Sequence, residues 1–405
     1  MEYDVIIVGA GASGYFAAIQ IAELSQNKSI LILEKTGKTL TKVSVSGGGR
    51  CNVTHFSVSI AQLAKAYPRG EKFLKKAFFD FWVPSMIDWF KKHHVALNTE
   101  ADNRMFPASN TSATIITLFE NLANHYNILL QINSKVIDIR QFENTYLVQL
   151  EQGEVLKAKH LIIASGGHPK MEQFDYLKNL ELNIIPTCPS LFTFNIPKQS
   201  INELMGLSVK TVVIKIEGEK KGNSGPVLIT HWGFSGPAII VLSALYAKQL
   251  YAKNYCFNFS IDWLPTYTYE QLFIYLKESK TGSKRLKNCG FIEIPQRLWL
   301  YLILNTGLDA EQMLCEISNA NLNKLIEGIK NQIFVANGKT TFKEEFVTCG
   351  GIDLTEINYQ TMESKKYKNL YFCGEVLDID AVTGGYNFQS AWTTAFIAAT
   401  HISTL

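Results

Sequence analysis

Cysteine is sparse and scattered in this chain. The seven residues, at 51, 188, 256, 289, 315, 349 and 373, fall in no CxxC or CxxxxC spacing. That pattern excludes a cysteine zinc site and the dithiol relay of pyridine-nucleotide disulfide reductases, and it argues against a disulfide scaffold, so the expected compartment is the cytoplasm. Charge of one sign is also missing. Thirty-nine Lys and Arg against 36 Asp and Glu leave a formal net charge of +3. Taken over the whole chain, this makes no electrostatic case for a nucleic acid or an anionic membrane, and neither is expected as partner. Clusters such as Lys72-Lys75-Lys76, Lys91-Lys92 and Lys365-Lys366-Lys368 read as solvated faces. Long hydrophobic runs are lacking too: the uncharged apolar stretch 237–247 is too short to span a bilayer. No charged leader precedes the first apolar run at Tyr3, so no signal peptide is expected. No metal-ligand cluster, Ser-His-Asp spacing or NTPase phosphate loop is visible. What remains is an ordinary globular composition: 405 residues, 47% apolar and 19% charged, long enough for two to three domains.

Glycine is where the chain becomes specific. Gly9-Ala10-Gly11-Ala12-Ser13-Gly14 follows an apolar strand, Tyr3 to Val8, and opens a helical pattern, Tyr15 to Leu24. A second apolar strand, Ser29 to Leu33, then ends on Glu34. A lone GxGxxG is weak evidence, but strand, turn, helix, strand and acid in this order make a dinucleotide-binding unit. Gly9 permits the tight turn, Gly11 lets the backbone approach a pyrophosphate, and Gly14 lets helix and strand pack closely. The helix N-terminus turns its free N–H groups to the phosphates. Glu34 accepts from a ribose 2′-OH and repels a 2′-phosphate, which disfavours NADP here and leaves FAD and NAD.

A second glycine cluster some 360 residues later separates those two. Leu370 to Cys373 reads as a strand, Gly374-Glu375 as its end, Thr383-Gly384-Gly385 as a turn and Tyr386 to Thr400 as a helix. A nicotinamide Rossmann domain needs no such return, whereas FAD in the two-dinucleotide fold does. Its ribityl chain and isoalloxazine run away from the first turn, and a late strand-turn-helix covers them. The helix N-terminus would face the flavin edge where negative charge gathers on reduction. A third segment, Ser46-Gly47-Gly48-Gly49-Arg50-Cys51-Asn52, carries three successive glycines with no packing use, which suits close approach of a planar ligand.

These segments carry a family resemblance. Ser46-Gly-Gly-Gly-Arg-Cys-Asn-Val-Thr54, Thr230-His-Trp-Gly-Phe-Ser-Gly-Pro237, and Gly374-Glu-Val-Leu-Asp378 with Thr383-Gly-Gly-Tyr-Asn387 resemble the bacterial FAD flavoproteins of the aminoacetone-oxidase-like or bile-acid-reductase-like (BaiN) type. Arg104-Met-Phe-Pro107, Pro189-Ser-Leu191 and Thr361-Met-Glu-Ser-Lys365 resemble it as well, so the likeness covers essentially the whole chain. It implies an α/β, glutathione-reductase-like two-dinucleotide FAD domain, discontinuous in sequence, with an inserted β-rich plus helical domain. The expected parts are 1–190 and 341–405 for the FAD domain and 191–340 for an insert, strands first and helices after, covering the flavin. The residues expected at the cofactor are Gly9, Gly11, Ala12, Ser13, Gly14, Glu34, Lys35, Gly47, Gly48, Gly49, Arg50, Cys51, Asn52, Val136, Gly166, Gly374, Glu375, Gly384, Gly385, Tyr386 and Asn387. The chain departs from the family pattern at Ser165 and, more fully, at His168-Pro169-Lys170-Met171-Glu172-Gln173-Phe174, a loop that could line the substrate side.

Three short strands, Lys135–Gln141, Tyr146–Leu150 and Val155–Ala158, read as a meander, with Leu161–Ala164 returning to the main sheet. Residues 70–95 and Ala113–Asn124 read as helical. In the insert, Ser235–Tyr251, Tyr269–Lys280, Ile294–Asn305 and Asp309–Gln332 read as helical. Beyond the cofactor, His231 is the candidate general acid, because it is a histidine on a turn flanked by glycines and proline; a purely loop-shaping role stays open. Cys51 could lie beside the flavin as a reactive thiol or could simply pack. The function expected is FAD-dependent hydride transfer between flavin N5 and a small organic substrate, with NAD(P)H as a transient donor. The alternatives are oxygen-dependent amine oxidation and an RNA-modifying flavoprotein.

Overall fold

The computed structural model describes residues 1–279, 284–340 and 347–405. They form two compact units, Met1–Ser190 with Phe342–Leu405 and, between them in sequence, Leu191–Thr341.

The first unit is built on a seven-stranded sheet. Four buried residues of Glu2–Val8 pair in parallel with Ile30–Leu33, which pairs in turn with Leu129–Gln131. On the other side Glu2–Val8 pairs in parallel with Val155–Ile163. That strand is one continuous element, not the separate Val155–Ala158 and Leu161–Ala164 expected from sequence. Its first half pairs antiparallel with Thr145–Leu150, and its second half pairs in parallel with Leu370–Phe372. A single strand thus serves both the meander and the Rossmann sheet. Lys159 and His160 at the changeover read as a break because neither is apolar.

The helices Ala12–Leu24 and Tyr386–Ser403 pack on this sheet and on each other. Phe16 touches Trp392 at 5.5 Å between ring centroids, and both are fully buried. Residues 70–95 form two helices rather than one, Glu71–Ala77 and Val83–Lys92, the second opened by Pro84 in its first turn, where a missing N–H costs nothing. Ala113–His125 is the remaining long helix here. A short antiparallel pair, Ile184–Pro189 with Thr348–Ile352, joins the stretches of chain on either side of the second unit.

The second unit has its own core around a seven-stranded sheet. The strands do not all precede the helices. Cys256–Asp262 and Gln332–Asn337 join the sheet late, after and between helices. Past Gly338 the chain turns and Lys339–Thr340 pairs with Thr193–Asn195, the strand that opens the unit, so the sheet closes on itself as a small barrel. Phe194, Phe234, Phe257, Phe259 and Phe334 fill it, with Phe234 and Phe334 4.7 Å apart. Gln332–Asn337 shows no polar–apolar alternation in sequence because its outward residues include Ile333 and Val335, 65% and 52% exposed, so both faces look apolar.

Candidate functional site

The opening glycines do what their spacing requires. A Cβ on Gly14 would stand 2.0 Å from the Gly9 carbonyl oxygen, and one on Gly9, at φ +113°, would stand 2.4 Å from the Ala164 carbonyl. Helix, turn and central strand are therefore in backbone contact. A Cβ on Gly11 would meet nothing within 4 Å, so the helix N-terminus looks into open space. No acidic side chain occupies its first turn. Ala12 and Ser13 begin that helix, and their N–H groups belong to the turn that has no intrahelical acceptor.

Glu34 ends the second strand with its carboxylate pinned from two sides. One oxygen accepts from the Ala10 N–H at 3.1 Å, the other from the Thr36 N–H and hydroxyl at 2.9 Å each. A carboxylate accepts about four hydrogen bonds, so capacity remains for a ribose hydroxyl. Lys35 is exposed next to it. The Ser134 N–H donates to the Glu34 carbonyl at 2.8 Å, which brings the start of the strand Val136–Phe142, and with it buried Val136, to the same side.

The structure brings the C-terminal motif to both N-terminal ones. Gly374 lies against Ser13, where a Cβ would come within 2.5 Å of the hydroxyl. Gly385 lies against Asn52, where a Cβ would be 2.7 Å from Oδ1. His55 Nδ1 is 3.0 Å from the Gly384 carbonyl, so Nδ1 carries the proton and donates. The His55 ring stacks on Tyr386 at 4.3 Å. Thr54 donates to Gln389 at 2.6 Å and the Trp392 indole donates to the Val53 carbonyl at 2.9 Å, which fastens the SGGGRCN loop to the C-terminal helix. Gly47, Gly48 and Gly49 all have positive φ, and Gly48 faces open space.

Glu375 holds its place through the Thr348 N–H, at 2.9 Å, and Lys42. Gly167 fits beside it, since a Cβ would be 2.6 Å from both Glu375 Oε1 and Thr348 Oγ1. Gly166, at φ +76°, faces open space. Asn52 Oδ1 and Thr348 Oγ1 are buried without hydrogen-bond partners. Open backbone at Gly11, Gly48 and Gly166, together with the orphaned polar atoms of Asn52, beside Gly385, and Thr348, beside Gly167, fits a bound dinucleotide.

Several expected ligands turn out to be engaged with protein. Arg50 donates to Glu100 at 2.6 Å and lies 4.0 Å over the Phe106 ring, so it braces the glycine loop. Asn387 accepts from the Ala381 N–H at 2.9 Å and holds the preceding turn in shape. Tyr386 offers its carbonyl to the Tyr67 hydroxyl at 2.6 Å, and burial pushes its own phenol up to about 12. Cys51 is fully buried at φ +62°, and burial pushes its thiol up to about 12, with Ser46 opposing. A reactive thiolate is therefore not what this position supplies; Cys51 packs. His231 is not among the residues assembled in the first unit. It sits exposed on the turn between Asn223–Thr230 and Gly233–Ser235 of the second, its ring edge-on to Trp232 at 4.2 Å.

Sequence reasoning missed His55, and it marked Ser165 and the His168 loop as departures from the family pattern without the hydrogen bonds that join them. His55 sits three residues past Asn52, within reach of the same motif. His168 Nε2 is 3.0 Å from the Ser165 hydroxyl, which is 2.9 Å from the Tyr176 hydroxyl. His168 is 4% exposed and its Nδ1 has no partner. Burial, with Lys35 and Lys42 adding, pushes its pKa down to about 4. The imidazole is thus neutral when folded and titrates near 6.5 when unfolded. Its contribution to stability is full above pH 6.5 and is lost as pH falls toward 4, on the order of 3 kcal/mol. His160 titrates in the same window. Urea midpoints at pH 7 and pH 4.5 should therefore fall together less steeply in His168→Gln than in the parent; equal slopes would contradict the assignment.

The family model described as HI0933-like protein Rossmann domain matches residues 3–401. The chain belongs to the HI0933-like family. Its resemblance to bacterial FAD flavoproteins, read from three separated motifs, holds over that whole length, and the protein is an FAD-dependent oxidoreductase of α/β Rossmann type. It is 28% identical over 407 residues to the ribosomal RNA dihydrouridine synthase of Escherichia coli (strain K12), covering 98% of this chain and 97% of that protein. It is 24% identical over 411 residues to the 3-dehydro-bile acid delta(4,6)-reductase of Clostridium scindens, covering 97% of each. In fold it resembles the 3-ketosteroid-delta4-(5alpha)-dehydrogenase of Rhodococcus jostii RHA1, with TM-score 0.53 and 10% identity, over 99% of this chain and 97% of that one. Among the described residues no helix is long and apolar enough to cross a membrane and no cluster could hold a metal ion.

Proposed function

We propose that this HI0933-like flavoprotein reduces a carbon–carbon double bond conjugated to a carbonyl, and that the bond is the C5=C6 bond of a uracil ring in RNA. The observation that carries this is the likeness, end to end, to a ribosomal RNA dihydrouridine synthase. The second relative is named for a different substrate but for the same kind of step, since a delta-4 double bond of a 3-keto steroid is also conjugated to its carbonyl. Both names describe reductions, which favours that direction over oxygen-dependent amine oxidation. NAD(P)H is the proposed electron source.

Bound FAD supplies hydride chemistry at N5. The chain's own residues do the rest. The Ala12–Leu24 N-terminus and Glu34 hold the adenosine pyrophosphate half. The SGGGRCN loop and the Tyr386–Ser403 N-terminus, tied together through His55, Thr54 and Trp392, hold the isoalloxazine half. A proton must reach the carbon alpha to the carbonyl, and exposed His231 is the proposed donor. His231→Ala should keep its flavin while the half-reaction with substrate slows by about 10²–10⁴-fold; wild-type turnover would remove His231 from the chemistry. Glu34→Arg should weaken FAD binding by about 1.5–3 kcal/mol, one to two decades in Kd, because a charged acceptor is replaced by a cation. Flavin retained equally by both proteins through dialysis would show that Glu34 does not hold the ribose.

The test of the function uses purified holoprotein, NADH or NADPH under anaerobic conditions, and ribosomal RNA from cells lacking this protein. Nucleoside mass spectrometry should show uridine gaining two hydrogens, dependent on the nicotinamide. Rapid reduction of a small enone with no change in the RNA would overturn the RNA substrate while leaving the reduction standing.

A further inference from the structure

Net charge is unevenly divided between the two units. Residues 191–341 hold 16 Lys and Arg against 11 Asp and Glu, and the remainder of the chain holds 23 against 25. The whole-chain figure of +3 averages a basic barrel unit with a slightly acidic FAD unit. Within the barrel unit, cations and aromatic rings meet at one end. The Lys221 N–H donates to the Tyr246 hydroxyl at 3.0 Å, and that hydroxyl donates back to the Lys221 carbonyl at 2.9 Å. This fixes the hairpin bearing exposed Lys220 and Lys221 against the start of the helix Ala247–Ala252. The helix is about 9 Å long at 1.5 Å per residue. It carries exposed Lys248 and delivers Tyr251, 52% exposed, and exposed Lys253 at its far end. Tyr251 and Tyr255 stand edge to face at 6.2 Å, and Lys339 lies 4.9 Å over the Tyr255 ring. Of the two carboxylates on the same hairpin, Glu217 accepts from Asn258 at 2.7 Å and Glu219 is half-buried.

We propose that this lysine–tyrosine end of the barrel unit, Lys220, Lys221, Lys253 and Tyr251, is a binding surface for single-stranded RNA, an inference that rests on the RNA substrate argued above. Lysines at this spacing follow a phosphate backbone, and an exposed tyrosine whose ring is steadied by a second one offers a face on which a base stacks. The hydroxyl bonds of Tyr246 pre-order the hairpin, so less freedom is lost when the strand docks.

The experiment measures fluorescence anisotropy of a labelled uridine-rich single-stranded RNA against the holoprotein at several salt concentrations. The parent should bind with a steep salt dependence. Lys220→Glu/Lys221→Glu/Lys253→Glu should weaken binding at least tenfold and lower the log–log salt slope by about 2, from ~0.7 per phosphate contact. Tyr251→Ala should weaken it roughly 5- to 150-fold with the slope unchanged, the loss typical of one stacked base. Lys72→Glu/Lys75→Glu, on the FAD unit, should bind as the parent does, and flavin reduction by NAD(P)H without RNA should be unaltered in every variant. If the parent binds RNA and both the triple variant and Tyr251→Ala bind equally well, this surface is wrong while the RNA reading stands. If the parent binds no RNA, both fall.

Discussion

Gly14→Ala should yield a chain that folds poorly and retains no flavin. The added methyl would lie 2.0 Å from the Gly9 carbonyl oxygen and 3.1 Å from its carbon, both backbone atoms that cannot step aside. Relief requires the helix Ala12–Leu24 to lift from the central strand. It cannot lift freely, because its buried face, from Ser13 through Ala22, is packed between sheet and C-terminal helix. The cost exceeds the ~1–3 kcal/mol usual for overpacking. Gly11→Ala gives the contrasting result. Its methyl meets nothing in the protein, so apoprotein Tm should match the parent, yet it projects where the pyrophosphate is proposed to lie. FAD affinity should fall at least ~10-fold, about 1.4 kcal/mol. Flavin absorbance per mole of protein, with circular dichroism melts of the apoproteins, reads both effects. A Gly11→Ala protein as fully loaded as the parent would place the pyrophosphate elsewhere.

That contrast shows what kind of information the sequence held. Positions governed by backbone geometry were legible, because only glycine tolerates a turn at φ +113° or a helix in backbone contact with a strand. Gly9, Gly14 and Gly374 are such positions, and their spacing carried the dinucleotide reading across 360 residues. Positions governed by side-chain partners were not. Arg50 looked like a cofactor ligand because nothing in the sequence says that Glu100 and Phe106 will surround it. Cys51 stayed open between a reactive thiol and a packing role because its depth was invisible. The barrel was missed for a related reason: closure depends on which strands pair, and Gln332–Asn337 gave no alternation to announce itself. Net charge is coarse for the same reason, since a total taken over 405 residues cannot reveal that residues 191–341 are basic while the remainder is slightly acidic.

Asp380 and Arg69 form a buried ion pair that no motif announced. Asp380 is fully buried in the loop between Gly374-Glu375 and the C-terminal helix. Its carboxylate takes both arms of Arg69, with Nε at 2.5 Å, and the Ser190 hydroxyl donates to it as well. The same turn closes on this loop elsewhere: the Val382 N–H donates to the Ala66 carbonyl at 2.9 Å, and Gly70 leaves no room for a Cβ beside Ile379. Residues 66–70 thus clamp the segment that leads to Gly384, Gly385 and Tyr386. Asp380→Asn would remove the carboxylate that takes both arms of the buried Arg69 guanidinium, and breaking such a pair costs about 3–5 kcal/mol. Urea unfolding should register that loss, and flavin should dissociate before global unfolding as the clamped loop loosens. Arg69→Met/Asp380→Leu separates charge from shape. Two apolar side chains of similar volume remove both charges together, an exchange that is often neutral or stabilising. The double variant should therefore recover most of the stability lost by Asp380→Asn. If it is as unstable as the single variant, the clamp depends on the directional hydrogen bonds to Asp380 and not on the balance of buried charge.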